Sequence, residues 1–190
     1  MANKISYGLS KLYYAKITAI SNDGVPTYGT PVAIPGAVEI SLDKEGDTYI
    51  KYADNVAYFT TAVNNGYSGS FTVTTLPESF YTDCLGYKVD TTGALVEDAD
   101  AASTAFALLF KFNGDESNTD YVMYNCIAER PSVASATKED SIEANDISVD
   151  ITCKTIYNSG LGCNIVKAYE THDDTHTWFS EVFIPTQEHQ

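Results

Sequence analysis

Ile147-Ser148-Val149-Asp150-Ile151-Thr152-Cys153 alternates without a break, apolar at the odd positions and small polar or acidic at the even ones. Successive side chains on an extended strand point to opposite faces, so this pattern describes a strand with one face buried and one face wet. The same period runs through Val38, Ile40 and Leu42 against Glu39, Ser41 and Asp43. It returns in Phe71 and Val73 against Ser70, Thr72 and Thr74. Thr48, Ile50 and Tyr52 alternate with Tyr49 and Lys51, and Ala57, Phe59, Thr61 and Val63 form another alternating set. Each is expected as a half-buried strand. Further strands are expected over residues 12–20, 106–112, 121–128, 163–169 and 178–184. Turn residues separate them, among them Asn22-Asp23-Gly24, Glu45-Gly46-Asp47, Asn64-Asn65-Gly66 and Gly160-Leu161-Gly162. Many short strands with turns at these intervals predict a mainly β fold, a sandwich or barrel.

One short helix is expected to flank it. Pro77-Glu78-Ser79-Phe80-Tyr81-Thr82-Asp83-Cys84-Leu85-Gly86 opens with Pro in the first turn, places Glu78 at the positive end of the dipole and closes on glycine. Two stretches read as acidic surface excursions, residues 90–103 and residues 131–145. No internal repeat and no domain boundary is visible, so the 190 residues are read as one domain.

Composition excludes several classes of function. Lys and Arg total 11 against 26 Asp and Glu, a formal charge of −15, and the one arginine is Arg130. Seventeen of the acids fall in residues 96–190. A protein that grips phosphate backbones or anionic membranes needs clustered cations, and this chain has none. Fourteen Tyr against eight Phe give the aromatic surface a polar tip. The N-terminus has no apolar signal region, and no apolar run approaches a membrane span. Cys84, Cys126, Cys153 and Cys163 lack CxxC spacing, which fits free thiols in a reducing cytoplasm. The spacing does not say whether Cys126 and Cys153 are neighbours.

Catalytic and metal motifs are weak. His172 and His176 have the i, i+4 spacing of a zinc pair, but Asp173 stands where a zincin has Glu, and a surface turn is the better reading. Residues 113–120 cluster oxygen donors without the glycine and terminal Glu of an EF-hand loop, so a hairpin loop is the better reading there too. No nucleophile elbow, P-loop or dinucleotide fingerprint occurs. The expectation is a protein that is not an enzyme and carries no cofactor or metal.

The most informative feature is the polar face shared by three of the strands. It comprises Glu39, Ser41 and Asp43; Ser70, Thr72 and Thr74; and Ser148, Asp150 and Thr152. Ordinary wet sheet faces mix Lys with Glu. This face holds small hydroxyls and acids and no Lys or Arg, with Lys154 coming just after it. It suits a channel wall passing DNA, because it repels phosphates and offers nothing to trap them. An ordinary solvated face is the competing reading.

The chain also resembles a known family, the phi13-type major tail (tail tube) proteins of bacteriophages with long non-contractile tails. The residues that carry the resemblance are Ser6-Tyr7-Gly8-Leu9-Ser10-Lys11-Leu12-Tyr13-Tyr14-Ala15, Gly29-Thr30-Pro31, Pro35-Gly36-Ala37 and Tyr52-Ala53-Asp54-Asn55. They continue with the Leu76-Pro77 helix ending in Leu85-Gly86-Tyr87, and with Tyr121-Val122-Met123-Tyr124-Asn125-Cys126 running to Arg130-Pro131. They fall in the family's order over about residues 5–155. The resemblance implies a β-sandwich or barrel in homohexameric rings stacked into a tube through terminal arms and long loops or hairpins. It implies a virion protein assembled in the bacterial cytoplasm. Its partners would be copies of itself, a tape-measure protein, and the tail terminator and distal tail proteins. DNA would pass without specific binding. On this reading residues 1–11 are an N-terminal arm, and the nine polar-face residues line the lumen. Residues 43–57 suit an inter-ring hairpin, with Lys44, Glu45, Asp47, Tyr49, Tyr52, Asp54 and Asn55 as contacts. A self-contained hairpin suits that stretch equally well. The competing function is a non-enzymatic binding module, a virion decoration or adhesin-like domain.

Overall fold

The computed structural model describes residues 7–114, 119–133, 145–171 and 177–186. Their strands, in chain order, are β1 (Tyr7–Ile20), β2 (Pro26–Tyr28), β3 (Val32–Ala33), β4 (Ala37–Glu45), β5 (Thr48–Ala53), β6 (Val56–Ala62) and β7 (Gly66–Val73). A single helix, α1 (Glu78–Asp83), follows. Then come β8 (Lys88–Val89), β9 (Leu95–Val96), β10 (Phe106–Asn113), β11 (Thr119–Ala128), β12 (Ile147–Cys153), β13 (Ile156–Asn158), β14 (Cys163–Ile165) and β15 (Lys167–Thr171).

The protein is mainly β, built on one large antiparallel sheet with the path β2-β1-β10-β11-β12-β7-β4. β3 adds to β1, and β15 adds to the N-terminal half of β11. β12 takes over the same edge of β11 further along, over Cys126, Ile127 and Ala128 only. The sheet therefore splits beside β11 and curls, bringing β4 back against β1. Curling gives the edge strands an interior to cover.

β10 is why the sheet needs two covers. Its residues are apolar on both faces, and Phe106, Ala107, Leu108 and Leu109 are each wholly buried. Phe106, Leu108 and Phe110 join Leu12, Tyr14, Phe71, Val73, Val149 and Ile151 inside the curl. Ala107 and Leu109 face the other way, onto Ala15, Ile17, Val122, Tyr124, Trp178 and Val182. The segment 177–186 supplies that outer cover. Trp178 and Phe183 stack at 4.8 Å, and Phe179 meets Tyr13 at 5.0 Å.

α1 closes the inner core. Its Phe80 is fully buried and meets Tyr14, Phe71 and Phe106 edge-on at 5.1, 6.0 and 5.5 Å. Asp83 at the helix end accepts hydrogen bonds from Tyr14 Oη (3.2 Å) and Lys16 Nζ (3.1 Å), which fixes the helix across β1. Burial pushes the Tyr14 phenol up to about 12; the Ser79 hydrogen bond opposes it, and the Asp83 charge adds a smaller upward push. Pro77 is the N-cap rather than a first-turn residue, and Cys84 is the C-cap.

Several sequence-based expectations need correction. Residues 7–11 are not an arm, since they open β1 and lie against β10 with Leu9 opposite Phe112 and Lys11 opposite Lys111. Residues 1–6 lie outside the described residues. Val38 does not point inward: a bulge between Ala37 and Glu39 puts Ala37 opposite Val73 and leaves Val38 about half exposed. The expected strand 163–169 is broken at Val166 into β14 and β15, and residues 178–184 form turns and coil rather than a strand. Trp178 is buried in either case, because burial needs an apolar partner and not a ladder.

The 90–103 excursion is ordered rather than loose. Its β9 pairs with β8 just before it, and the turn between them is of Asx type, with Asp90 accepting from the N–H groups of Thr92 and Ala94. Arg130 clamps its return, with Nη2 donating to the carbonyls of Asp98 (2.8 Å) and Ala101 (3.4 Å) and Nε beside Glu97 (3.2 Å). Arg130→Ala should cost about 1 kcal/mol of global stability, because the lost bonds are partly solvated. It should also make residues 90–103 a preferred site of limited proteolysis, measurable by peptide mapping; an unchanged cleavage pattern would remove Arg130 from this role. Of the second excursion, 134–144 lies outside the described residues.

Candidate functional site

The nine polar-face positions come together on three neighbouring strands. β7 sits between β12 and β4, and their registers align residue for residue. Thr72 stands between Glu39 and Ser148, Ser70 between Ser41 and Asp150, and Ser68 between Asp43 and Thr152. Thr74 lies one step beyond, donating to Asp146 at 3.3 Å. Alternation explains the alignment, because each outward residue is flanked by inward Phe71, Val73, Val149, Ile151 and Cys153, all buried. A shift of one residue in the β7–β12 pairing would bury Asp150 or expose Phe71.

This face is slightly concave. A shallow depression of about 390 Å³ is lined by Ser41, Asp43, Ser68, Ser70, Asp150 and Thr152, with Glu129 from the end of β11 at its rim. Ser68, absent from the expected set, donates to the Glu45 carboxylate. Carrying the alternation past Gly69 would have found it in the sequence. No nucleophile–base pair marks the depression. Among the described residues, no group of three His, Cys, Asp or Glu could hold a metal ion. The His172/His176 pair and Asp115–Asn118 of the oxygen-rich loop lie outside the described residues. Asp120, from the same loop reading, is a buried residue of β11 whose carboxylate lies 3.4 Å from Lys111 Nζ.

Two of the three strands do not stop at the sheet. β4 and β7 run on as a two-stranded ribbon, with Asn65 N–H donating to Glu45 O and Val63 N–H to Asp47 O before β5 and β6 take up the pairing. The ribbon ends in the two-residue turn Asp54-Asn55, both residues in the left-handed region (φ 51° and 63°). That conformation is tolerated best by Asn, Asp and Gly, and it matches the twist of a hairpin. At about 3.3 Å per residue, Asp47 to Asp54 carries the tip roughly 25 Å beyond the sheet.

The expectation that β5 and β6 are half buried fails. Tyr49 (57%), Tyr52 (68%), Tyr58 (77%) and Phe59 (52%) are exposed, as are Ile50, Val56 and Val63. Alternation was present in the sequence, but there is no second layer to bury either face. The hairpin also differs in extent from 43–57. Lys44 and Glu45 belong to β4, opposite Tyr67 and Gly66, and the return strand reaches Ala62. Asp47 is in the crossing, Tyr49 and Tyr52 on β5, Asp54 and Asn55 at the tip. Val56, Tyr58 and Phe59 join this surface and lie outside the expected contact set, which stops at Asn55 and places Phe59 on the buried face of a half-buried strand.

Glycine sets the crossing point. A Cβ on Gly46 (φ 145°) would lie 1.9 Å from Val63 O, and one on Gly66 (φ 108°) 2.0 Å from Cys153 O. Gly46→Ala should destabilise the ribbon by about 1–3 kcal/mol through forced backbone movement. Hydrogen exchange should rise over residues 46–64 and stay unchanged in β10; uniform protection would refute the assignment. Against known proteins, the chain matches no protein-family model and no curated sequence.

Proposed function

We propose that this protein is the structural subunit of a phage tail tube, forming homohexameric rings that stack into a conduit for DNA. One observation carries the reading. Two of the three strands that present an aligned polar face of hydroxyls and acids, β4 and β7, also run on into an exposed aromatic ribbon. A tube subunit needs both together, a wall that does not hold phosphates and an arm that reaches the next ring. In a ring closed by one repeated heterologous contact, the unpaired edge of β4 would be covered by a neighbour. A long solvent-facing apolar ribbon is an aggregation hazard for a permanent monomer and an asset for a polymer. The role is architectural and uses no cofactor. The other partners on this reading are a tape-measure protein in the lumen during assembly and the proteins that end the tube. The protein would be found in the virion.

Negative-stain microscopy of the purified protein over a concentration and salt series tests this directly. Hollow tubes or rings of uniform width are the expected result. A strict monomer at every concentration, also when supplied with tube ends, would overturn it in favour of a monomeric binding module that uses the same Tyr-rich ribbon.

A further inference from the structure

Cys126 and Cys153 are opposed residues on β11 and β12, with their sulfurs 2.8 Å apart and both side chains fully buried. The backbone bonds around them define the type of pair. Lys154 N–H donates to Asn125 O and Glu129 N–H donates to Asp150 O. In an antiparallel ladder this places 126/153 and 128/151 at non-hydrogen-bonded positions, where Cα atoms approach to about 4.5 Å and side chains lie closest. That is within the Cα range of disulfides. We propose that Cys126 and Cys153 are a covalent cross-link site, forming a disulfide between β11 and β12 when the protein meets an oxidising thiol pool.

The location gives the cross-link a consequence. β12 is held to β7 over seven aligned residues but to β11 over three. The β11–β12 seam is the shortest join along the main sheet path between β1 and β4, and β12, β7 and β4 hang from it. A bond there would secure the whole polar face to the central strands, and it would close the chain between residues 126 and 153 into a loop. The seam is also how the thiols become reachable. Burial, and then the neighbouring thiol, push the Cys126 thiol well above its ordinary range, so its thiolate forms when the seam opens.

With glutathione disulfide as oxidant the chemistry balances. One cysteine thiolate attacks a sulfur of glutathione disulfide, breaking that S–S bond and expelling glutathione thiolate. The second cysteine thiolate attacks the protein sulfur of the mixed disulfide and expels the other glutathione. Two electrons pass from protein to glutathione, the two protons end on two glutathione thiols, and one protein S–S bond is formed.

The test uses the full chain carrying Cys163→Ala, which removes the exposed thiol. The protein is refolded from urea in glutathione buffers of graded oxidised-to-reduced ratio, so access to the seam is never limiting. Remaining thiols are then alkylated in denaturant and mapped by mass spectrometry. The expected result is a single linked peptide pair, 126 with 153, and an alkylated Cys84. The unfolding midpoint should rise by about 5–10 °C in the oxidised form. Cys126→Ala and Cys153→Ala should each melt at one temperature in both buffers. Folded protein that keeps both thiols at oxidising ratios, or links Cys84 or a second chain instead, would overturn the proposal. The outcome does not depend on whether the protein forms tubes.

Discussion

Serine at Tyr49, Tyr52, Tyr58 and Phe59 is expected to leave a folded protein that no longer builds tubes. The four side chains are more than half exposed, so the isolated subunit loses little by their removal. Their value would lie in the contact with the next ring, where each aromatic side chain changes from wet to dry. Aromatic anchors at interface centres are worth about 2 kcal/mol or more each when truncated. A loss of about 2 kcal/mol per subunit would already raise the concentration needed for growth roughly thirtyfold, and four truncations exceed that. If the unaltered protein forms tubes as proposed, sedimentation velocity should show the variant as monomer or single rings at the same concentrations. The urea midpoint should be unchanged to within the error of the measurement. Tubes of normal length from the fourfold variant would separate the ribbon from stacking. A lowered midpoint with normal assembly would mean that the ribbon packs on its own subunit.

The sequence was most legible where one face is buried and one is wet. Residues 147–153 and 70–74 read correctly because Val149, Ile151, Phe71 and Val73 each pay for a position inside, and their neighbours do not. Legibility failed where alternation had another cause. Residues 48–62 alternate as a strand must, yet no layer covers them, and no local signal distinguishes a strand over a core from a strand in solvent. Val38 failed because a bulge shifts register by one, which depends on where Ala37 meets Val73 and not on composition. Residues 178–184 read as a strand in the sequence but form turns and coil, because their apolar side chains require burial without requiring a pairing partner. The polar face was legible residue by residue, but its alignment across β4, β7 and β12 required the registers. The neighbouring thiols of Cys126 and Cys153 required the same information, since 27 positions separate them.

Lysine at Ser70 is expected to spare assembly and impair DNA passage. Ser70 is the middle residue of the middle strand, between Ser41 and Asp150, and its side chain leaves the sheet on the polar face. Inward residues are untouched, so a flexible side chain that can reach solvent should change stability by no more than about 0.5 kcal/mol. In the proposed ring the electrostatic effect would be larger, because every subunit repeats it. Each ring would gain a cation from every subunit, and each further ring would add another set along the path of the DNA. A single lysine–phosphate contact is weak and salt-sensitive, but contacts taken together release many counterions, and the affinity lost with salt scales with their number. DNA would then move against a ladder of traps instead of along a repelling wall. Phage carrying Ser70→Lys should show tubes of normal length, slowed DNA ejection in vitro that recovers with added salt, and infectivity lowered by an order of magnitude or more. Ser148→Lys should behave alike, since it lies on the same face one row away. Ser159→Lys, an exposed position outside the main sheet, is the control for added charge alone. Normal ejection at low salt in both face variants would show that this face does not meet DNA. The wall would then have to be sought on other strands, while the proposed stacking through the ribbon would be untouched.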